Sequence, residues 1–197
     1  TVNADETTYL NWSLTYAPTE TITLQPGSEG KDSEVDEMFP DDNSGNDVSL
    51  WIGYTFSKWR SYLQFYLNPN PLPEGAIVTD ANLKLYQFSS EGSGSFTVGL
   101  YNVTSYWGEH SITWRNQPNS SSKAEALCTI YTGSVTWRSW YIDDLVKGWL
   151  DGSIHNYGML LKPKEETSND KSAGFISSDS FIHTDKRPKL TINYYIP

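Results

Sequence analysis

A loop dense in oxygen-bearing side chains occupies residues 41–47 of the sequence. It contains Asp41, Asn43 and Asp47, with a glycine at position 45. Ca²⁺ takes about six to eight hard oxygen ligands, and Asp and Asn residues around a glycine turn can supply several of them. The loop is not an EF-hand, because the twelfth position counted from Asp41 is an isoleucine. A solvated turn is the alternative, since the same residue types form turns without any ion.

Three further carboxylates, Asp32, Glu34 and Asp179, lie in segments that a sheet could bring beside this loop. The analogy is with jelly-roll domains that carry a structural ion. We therefore predict a structural Ca²⁺ site formed by Asp41, Asn43 and Asp47, with Asp32 and Asp179 as additional ligands.

Aromatic side chains are the second set that suits ligand binding. If the aliphatic residues of the segment 62–67 point inward, Tyr62 and Tyr66 point outward on one side of it. Tyr86 points outward by the same alternation in the segment 82–86. Sugar rings have flat C–H faces that pack on aromatic rings, so these three tyrosines are predicted to form a carbohydrate-binding platform. Alternatively, an N-terminal strand or a helix covers them.

Tryptophans in neighbouring loops offer a second route to the same chemistry. Trp59 and Trp140 are the candidates for additional carbohydrate contacts. Trp107 and Trp114 are interpreted as core or loop scaffold instead, and Arg60 as a buried or half-buried guanidinium that ties a turn.

Residues for catalysis form no recognisable pattern. The histidines His110, His155 and His183 lie in no zinc-protease spacing, and Cys128 has no histidine beside it in the sequence. The nucleophile-elbow spacing Gly-x-Ser-x-Gly is absent. Two of the 24 acidic residues could still form the carboxylate pair of a glycosidase. The acidic residues cluster in loops, however, where they are ordinarily solvated surface charges. We therefore predict no enzymatic activity.

The composition narrows the class of partner. The chain has 197 residues and a net charge of −10, which disfavours nucleic acids and anionic membrane surfaces. No stretch approaches the roughly 18 apolar residues of a membrane span. One cysteine excludes an internal disulfide. Aromatic residues make up 14% of the chain, which indicates either a core of bulky side chains or aromatics reserved for the surface.

The elements that must position these residues are mostly strands. Apolar and polar residues alternate with period two in five segments, at residues 10–16, 62–67, 82–86, 96–101 and 190–196. Gly, Pro, Asn and Ser clusters separate them, a pattern typical of half-buried antiparallel strands. The alternation predicts eight residues buried between two sheets: Leu63, Phe65, Leu83, Leu85, Val98, Leu100, Leu190 and Ile192.

One helix stands out. Ile142, Leu145, Val146 and Trp149 lie on a single helical stripe, and a glycine at position 152 is placed to end the helix. One short helix among many strands favours an all-β, antiparallel β-sandwich of jelly-roll type over an α/β fold. We predict an extra strand or linker over residues 1–23 and a single module over residues 24–197.

Several segments carry a family resemblance. They are residues 30–35, 50–53, 60–67, 73–86, 101–118, 143–162, 175–178 and 187–190. The most specific is 101–118, which contains Trp107, Glu109, Trp114 and the pair Gln117-Pro118. These segments resemble the DNRLRE domains, which overlap carbohydrate-binding module family 96. The resemblance implies a jelly-roll-like sandwich on a secreted or cell-surface protein, where such domains accompany polysaccharide-active or adhesive partners.

The sequence also departs from that pattern. The stretch that usually reads Arg-Phe-Asp is Gln64-Phe65-Tyr66 here. Some relatives bind acidic polysaccharide, but the net charge of −10 argues against carrying that ligand over. We predict a non-catalytic, extracellular or cell-surface module that binds a neutral or mildly charged polysaccharide within a longer chain. The alternative is a structural or adhesive module of a surface layer or stalk without a sugar site.

Overall fold

The computed structural model describes residues 18–27, 30–167 and 170–197. Eleven strands and one α-helix are found there. The strands are β1 (Glu20–Leu24), β2 (Lys31–Asp36), β3 (Ser49–Tyr54), β4 (Lys58–Gln64), β5 (Ile77–Glu91), β6 (Ser95–Asn102), β7 (Ala126–Tyr131), β8 (Thr136–Tyr141), β9 (Met159–Pro163), β10 (Lys171–Ile176) and β11 (Lys189–Tyr195). The helix α1 spans Asp143–Asp151, and short 3₁₀ turns lie at Trp114–Asn116 and Thr184–Lys186.

The strands pair in the order β1-β11-β5-β10-β3-β4-β9-β6-β7, with β2 added on β4 and β8 on β5. Every one of these pairs is antiparallel. Inward side chains from β5 and β11 share one hydrophobic cluster with those from β4, β6 and β9. The hydrogen-bonded sheet therefore curls until its inner faces meet. The predicted all-β sandwich with one short helix is confirmed.

The core is the one that the alternation predicts. All eight residues expected between the sheets are buried, and the most exposed of them, Phe65, is 3% exposed. Burial of an aliphatic side chain of this kind contributes about 1.5–3 kcal/mol. Pairing of β4 ends at Gln64, yet Phe65 and Leu67 remain buried beyond its end. The segment predicted as a strand at 10–16 lies outside the described residues, and residues 20–24 form the edge strand β1 on β11.

The predicted helix is confirmed. Leu145, Val146 and Trp149 face the core, and Ile142 is buried at the helix start. Asp143 accepts a hydrogen bond from the Ala81 backbone N–H (2.8 Å), which fixes the helix to β5. Gly152 ends it in the left-handed conformation, with a φ of 78°. No helix in the described part of the chain is long and apolar enough to cross a membrane.

Two outer faces of the sandwich differ in what lies over them. The outer side of β2, β4, β9 and β6 lies beneath the connection 103–125, and we call it the covered face. Side chains from both form a second cluster there: Val35, Tyr62, Tyr101, Val103, Trp107, Ile112 and Leu160. The outer side of β1, β11, β5 and β8 carries half-buried and exposed side chains, and we call it the bare face.

Candidate functional site

The covered face corrects the position predicted for Tyr62. Its side chain does point away from the central core, but it is only 1% exposed. The ring lies 5.7 Å from that of Trp107, and its hydroxyl donates to Gln117 Oε1 (3.0 Å). The connection 103–125 therefore buries Tyr62, and this tyrosine cannot offer a ring to a ligand.

Trp140 is also a core residue and not a loop contact. It is 0% exposed, and its indole N–H donates to the Val98 carbonyl (3.1 Å). In β8 it pairs with Leu83, so the alternation of the strand turns it inward. The edge-to-face contact with Phe175, at 6.3 Å between centroids, completes its burial.

The remaining predicted aromatics lie on separate surfaces. Tyr66 is 61% exposed. Tyr86 is half-buried on the bare face, with its ring 5.4 Å from that of Trp137. Trp59 is half-buried and meets the edge of Phe56 at 5.2 Å. The single platform of three tyrosines is therefore wrong, and Tyr66 and Tyr86 belong to different candidate surfaces.

Tyr66 lines an open groove of about 520 Å³ at the edge of the covered face. We call it the tyrosine groove; its lining includes Lys31, Gln64, Tyr66, Tyr106, Glu109, His155, Asn156 and Tyr157. A second cavity of about 320 Å³, near the end of α1, shares Gln64, Tyr66, His155 and Asn156 with it. The two cavities thus form one elongated depression. Tyr106, at 78% exposure, and Tyr66, at 61%, are its exposed tyrosines.

The polar residues of the groove are held in place by the fold. Lys31 pairs with Gln64 across β2 and β4, and its ammonium donates to Gln64 Oε1 (2.8 Å). The Gln64 amide donates to the Asn156 carbonyl (2.8 Å), and the Asn156 amide donates to the Phe65 carbonyl (2.9 Å). These bonds orient the amide groups before any ligand arrives, which lowers the ordering cost of binding.

Aromatic rings surround the Lys31 ammonium. It lies 4.1 Å from the Trp107 ring centroid and 5.1 Å from that of Tyr106. Burial lowers the pKa of Lys31, while the nearby Glu109 carboxylate acts to raise it. The His155 and Tyr157 rings lie 4.2 Å apart on the same groove. The groove thus combines exposed rings with fixed hydrogen-bonding groups, which is the chemistry that recognises a sugar.

Three carboxylates meet beside the groove. One oxygen each of Asp32, Glu109 and Asp179 lies within 4.8 Å of the others, and we call this set the carboxylate cluster. Asp32 is 2% exposed, and its Oδ2 accepts from the Ser178 backbone N–H (2.8 Å). Glu109 Oε1 accepts from the Asp32 backbone N–H (2.9 Å). The cluster joins β2, the turn at 108–112 and the turn after β10.

Burial dominates the electrostatics of the cluster. It raises the pKa of Asp32 to about 7, although the Ser178 hydrogen bond acts to lower it. Burial also raises the pKa values of Glu109 and Asp179. The carboxylates add to this effect, because the charge on Asp179 raises the pKa of both Asp32 and Glu109.

The structure separates the predicted metal ligands. Asp32 and Asp179 come together with Glu109, which the sequence prediction did not include. Asp41 instead accepts two bonds from the exposed Arg115 guanidinium (2.8 and 3.1 Å). Asp47 is exposed and lies outside the cluster, although its charge raises the pKa of Asp179.

Three other residues of this region support the local backbone. Asn43 donates through its amide to the carbonyls of Glu109 and Ile112 (2.7 Å each), so it supports the turn that carries Glu109. A Cβ at Gly45 would lie 2.3 Å from the Glu109 carbonyl oxygen, so this close approach requires glycine. Glu34 accepts from the Trp51 backbone N–H (2.5 Å) and lies outside the cluster.

The bare face carries a half-buried aromatic pair, Tyr86 and Trp137. Lys186 Nζ lies 4.8 Å from the Tyr86 ring centroid, and Lys189 Nζ lies 4.6 Å from that of Trp137. A shallow depression of about 430 Å³ lies between Lys84, Trp137 and Lys189. Lysines gather here although the chain is strongly acidic, which makes this surface a natural comparison for the tyrosine groove.

The side chains that the sequence offers for catalysis are poorly activated or largely exposed. Burial raises the pKa of the Cys128 thiol, which lowers its reactivity as a nucleophile. His110 Nε2 lies 3.7 Å from Glu109 Oε2, and its side chain is 64% exposed. Arg60 is tied to Glu166 and Gln117, as its predicted structural role requires.

Sequence reasoning missed Lys31, Tyr106 and Glu109 as groove or cluster residues. Tyr106 and Glu109 fall in an irregular connection, where alternation gives no orientation. The available signal was the concentration of aromatics and Glu109 in the segment 101–118, in which Trp107 and Trp114 were interpreted as scaffold.

No curated protein matches the chain. Among protein-family models, that of carbohydrate-binding module family 96 matches residues 6–194. This match covers nearly the whole sandwich, including the strands and the connection that form the tyrosine groove. The chain therefore belongs to carbohydrate-binding module family 96.

Proposed function

We propose that this module holds a polysaccharide chain in the tyrosine groove and does not cleave it. The observation that carries the proposal is the pair of exposed rings, Tyr66 (61%) and Tyr106 (78%), on one elongated depression. Membership in a family of carbohydrate-binding modules supports a sugar as the ligand. An exposed aromatic side chain gains apolar contact when a sugar face covers it.

The polar lining suits a neutral or mildly charged polysaccharide. Gln64 and Asn156 present amides that the fold already orients, and His155 adds ring nitrogens. Lys31 and Glu109 place one positive and one negative group at the same groove. Their charges oppose each other, so the groove favours hydroxyl recognition over attraction of a polyanion.

The test is retention on immobilised polysaccharides, screened first on a broad glycan array. The double variant Tyr66→Ala/Tyr106→Ala should lose at least about tenfold in affinity, because stacking on both rings disappears. Trp137→Ala on the bare face is the matched control and should bind like the parent protein. If Trp137→Ala abolishes retention while the groove variant still binds, the ligand site is on the bare face and the proposal fails.

We place the module outside the cell, attached to other domains of a longer protein. N-glycosylation sequons begin at Asn102 and at Asn119. The one at Asn119 supports this placement, because Asn119 is exposed. The sequon at Asn102 is a poorer acceptor, since Asn102 is half-buried and its Oδ1 is enclosed. Expression in a glycosylating host should therefore modify Asn119, as measured by intact mass before and after deglycosylation.

A structural or adhesive module is the second candidate. Met38 (50%), Phe39 (55%) and Phe56 (70%) are exposed near one another, since the Met38 backbone N–H donates to the Ser57 hydroxyl (3.0 Å). An apolar surface of this kind suits packing against a neighbouring domain. This candidate replaces the carbohydrate-binding proposal if the parent protein retains no glycan on the array.

A further inference from the structure

Two oxygens of the carboxylate cluster have no hydrogen-bond partner among the described residues. They are Asp32 Oδ1 and Asp179 Oδ2, and both atoms are buried. Asp32 as a whole is only 2% exposed. A buried carboxylate oxygen without a donor loses its hydration with no hydrogen bond to compensate, which is unfavourable. Such an atom therefore indicates a binding partner.

The positively charged side chains nearby do not supply that partner. The Lys31 ammonium donates to Gln64, and the Arg187 guanidinium donates through Nε to the Ser180 carbonyl (2.9 Å). His110 lies 3.7 Å from Glu109 Oε2, with most of its side chain in solvent. Three carboxylates with oxygens within 4.8 Å of one another therefore keep two enclosed oxygens that have no hydrogen-bond partner among the described residues.

We propose that Asp32, Glu109 and Asp179 bind one Ca²⁺ ion. Oxygens on opposite sides of a Ca²⁺ ion are separated by about 4.6–5.2 Å, twice the usual ligand distance. The three carboxylates offer oxygens within 4.8 Å of one another, which is the spacing that one shared ion needs. Oxygen-only ligands favour Ca²⁺ or Mg²⁺ over zinc, and Ca²⁺ tolerates an irregular ligand arrangement better than Mg²⁺ does.

The ion would join three segments that are distant in sequence. Asp32 belongs to β2, Glu109 to the turn at 108–112, and Asp179 to the turn after β10. Glu109 also lines the tyrosine groove, so the ion fixes one wall of that groove. This consequence rests on the proposed function, whereas ion binding itself does not.

The binding experiment uses the metal alone. Calorimetric titration of chelator-treated protein with CaCl₂ should show one site. Thermal melting at about 100 times the Kd should show a rise in Tm of about 5–10 °C, because the ion binds only the folded state. MgCl₂ should give a clearly smaller rise. Absence of calcium binding, or an equal response to Mg²⁺, would overturn the assignment.

Two variants locate the site. Asp179→Asn should weaken calcium binding by at least about tenfold, because it removes one ligand charge. Asp41→Asn, in the acidic loop that the sequence favoured, is the matched control and should keep the calcium response of the parent protein. The opposite pattern, in which Asp41→Asn loses the response and Asp179→Asn keeps it, would place the ion in the loop.

Asp32→Asn is a third variant, chosen because it should lose calcium binding without being destabilised. Its amide keeps an oxygen for the Ser178 N–H, and it removes a buried charge from beside two others. Without calcium, this variant should melt at a higher temperature than chelator-treated parent protein, and added calcium should no longer raise its Tm. A full calcium response in Asp32→Asn would contradict the proposal. None of these readouts involves glycan, so failure of the metal site and failure of the groove are told apart.

Discussion

The covered face and the bare face carry similar residues in opposite surroundings. Tyr62 on β4 and Tyr86 on β5 both point away from the central core. Tyr62 is 1% exposed beneath Trp107, whereas Tyr86 is half-buried and meets Trp137 and the Lys186 ammonium. The difference is caused by the connection 103–125, which lies over one face and leaves the other bare.

The contrast shows that strand alternation determines direction and not exposure. A side chain that leaves the central core enters solvent only if no other segment packs over it. The connection 103–125 is held at both ends by backbone hydrogen bonds, from Val103 to Gly158 (3.0 Å) and from Ser121 to Asn102 (2.8 Å). It therefore forms a second small core with the covered face and places Tyr106 and Glu109 at its edge.

The largest expected effect is on stability at the covered face. Trp107 is 4% exposed, and its indole N–H donates to the Tyr157 carbonyl (2.8 Å). Trp107→Ala should lower the free energy of unfolding by about 3–5 kcal/mol, because it leaves a cavity and an unpaired carbonyl. Urea denaturation monitored by circular dichroism measures this change.

Trp137→Ala is the control for that prediction. Trp137 is half-buried on the bare face and packs on Tyr86 and Lys189. Its loss should cost roughly 1 kcal/mol, since little buried volume is removed. Equal losses at Trp107 and Trp137 would mean that the two faces do not differ in packing as the structure indicates.

The sequence predicted the fold well because its strands obey one physical rule. Leu83, Leu85, Leu190 and Ile192 repeat with period two, and any sandwich must bury that side of the strands. The helix followed in the same way from the stripe that ends at Trp149. These patterns depend only on residues that are close in sequence, so they predict strands and helices without any knowledge of the segments that pack against them.

The candidate site was less predictable because it depends on contacts between distant segments. Asp32, Glu109 and Asp179 meet only after the connection and two turns have packed. The residues next to them in the sequence do not indicate that they lie close together, whereas the acidic loop at 41–47 has a ligand-like pattern within a few consecutive residues. In the structure, that loop supports Glu109 through Asn43 while Asp41 pairs with Arg115.

An intermediate effect on stability is expected at the ion pair between Arg60 and Glu166, which helps to hold the connection 103–125 on the covered face. Arg60 donates two hydrogen bonds to Glu166 (2.7 and 2.8 Å) and one to Gln117, which also accepts from Tyr62. Burial acts to raise the pKa of Glu166, but the paired Arg60 guanidinium, together with the Lys162 ammonium at 3.4 Å, outweighs it and holds the pKa below the ordinary 4.5. Glu166→Gln should cost about 1–2 kcal/mol at pH 7, discounted for the partial exposure of the pair.

The stabilisation by Glu166 should depend on pH in a defined direction. A lowered folded-state pKa means that ionised Glu166 stabilises the fold above pH 4.5, and that this contribution disappears as the pH falls through the folded-state value. The stability difference between parent and Glu166→Gln should therefore shrink in acid. Glu165→Gln, which removes the same charge from the exposed neighbouring position, should show little difference at any pH. A gap that widens in acid would contradict the assigned role of the pair.

The smallest expected effect is that of salt on glycan retention, and it separates the two surfaces without a mutation. Binding in the tyrosine groove depends on contact with Tyr66 and Tyr106, so retention should change by less than about twofold between roughly 0.05 and 0.5 M NaCl. Binding on the bare face would engage Lys84, Lys186 and Lys189, whose attraction to an anionic ligand salt screens. Affinity electrophoresis at several salt concentrations makes the measurement. A loss of retention of about tenfold or more across this range would assign the ligand to the lysines of the bare face. Stacking on a tyrosine ring involves no net charge that salt could screen.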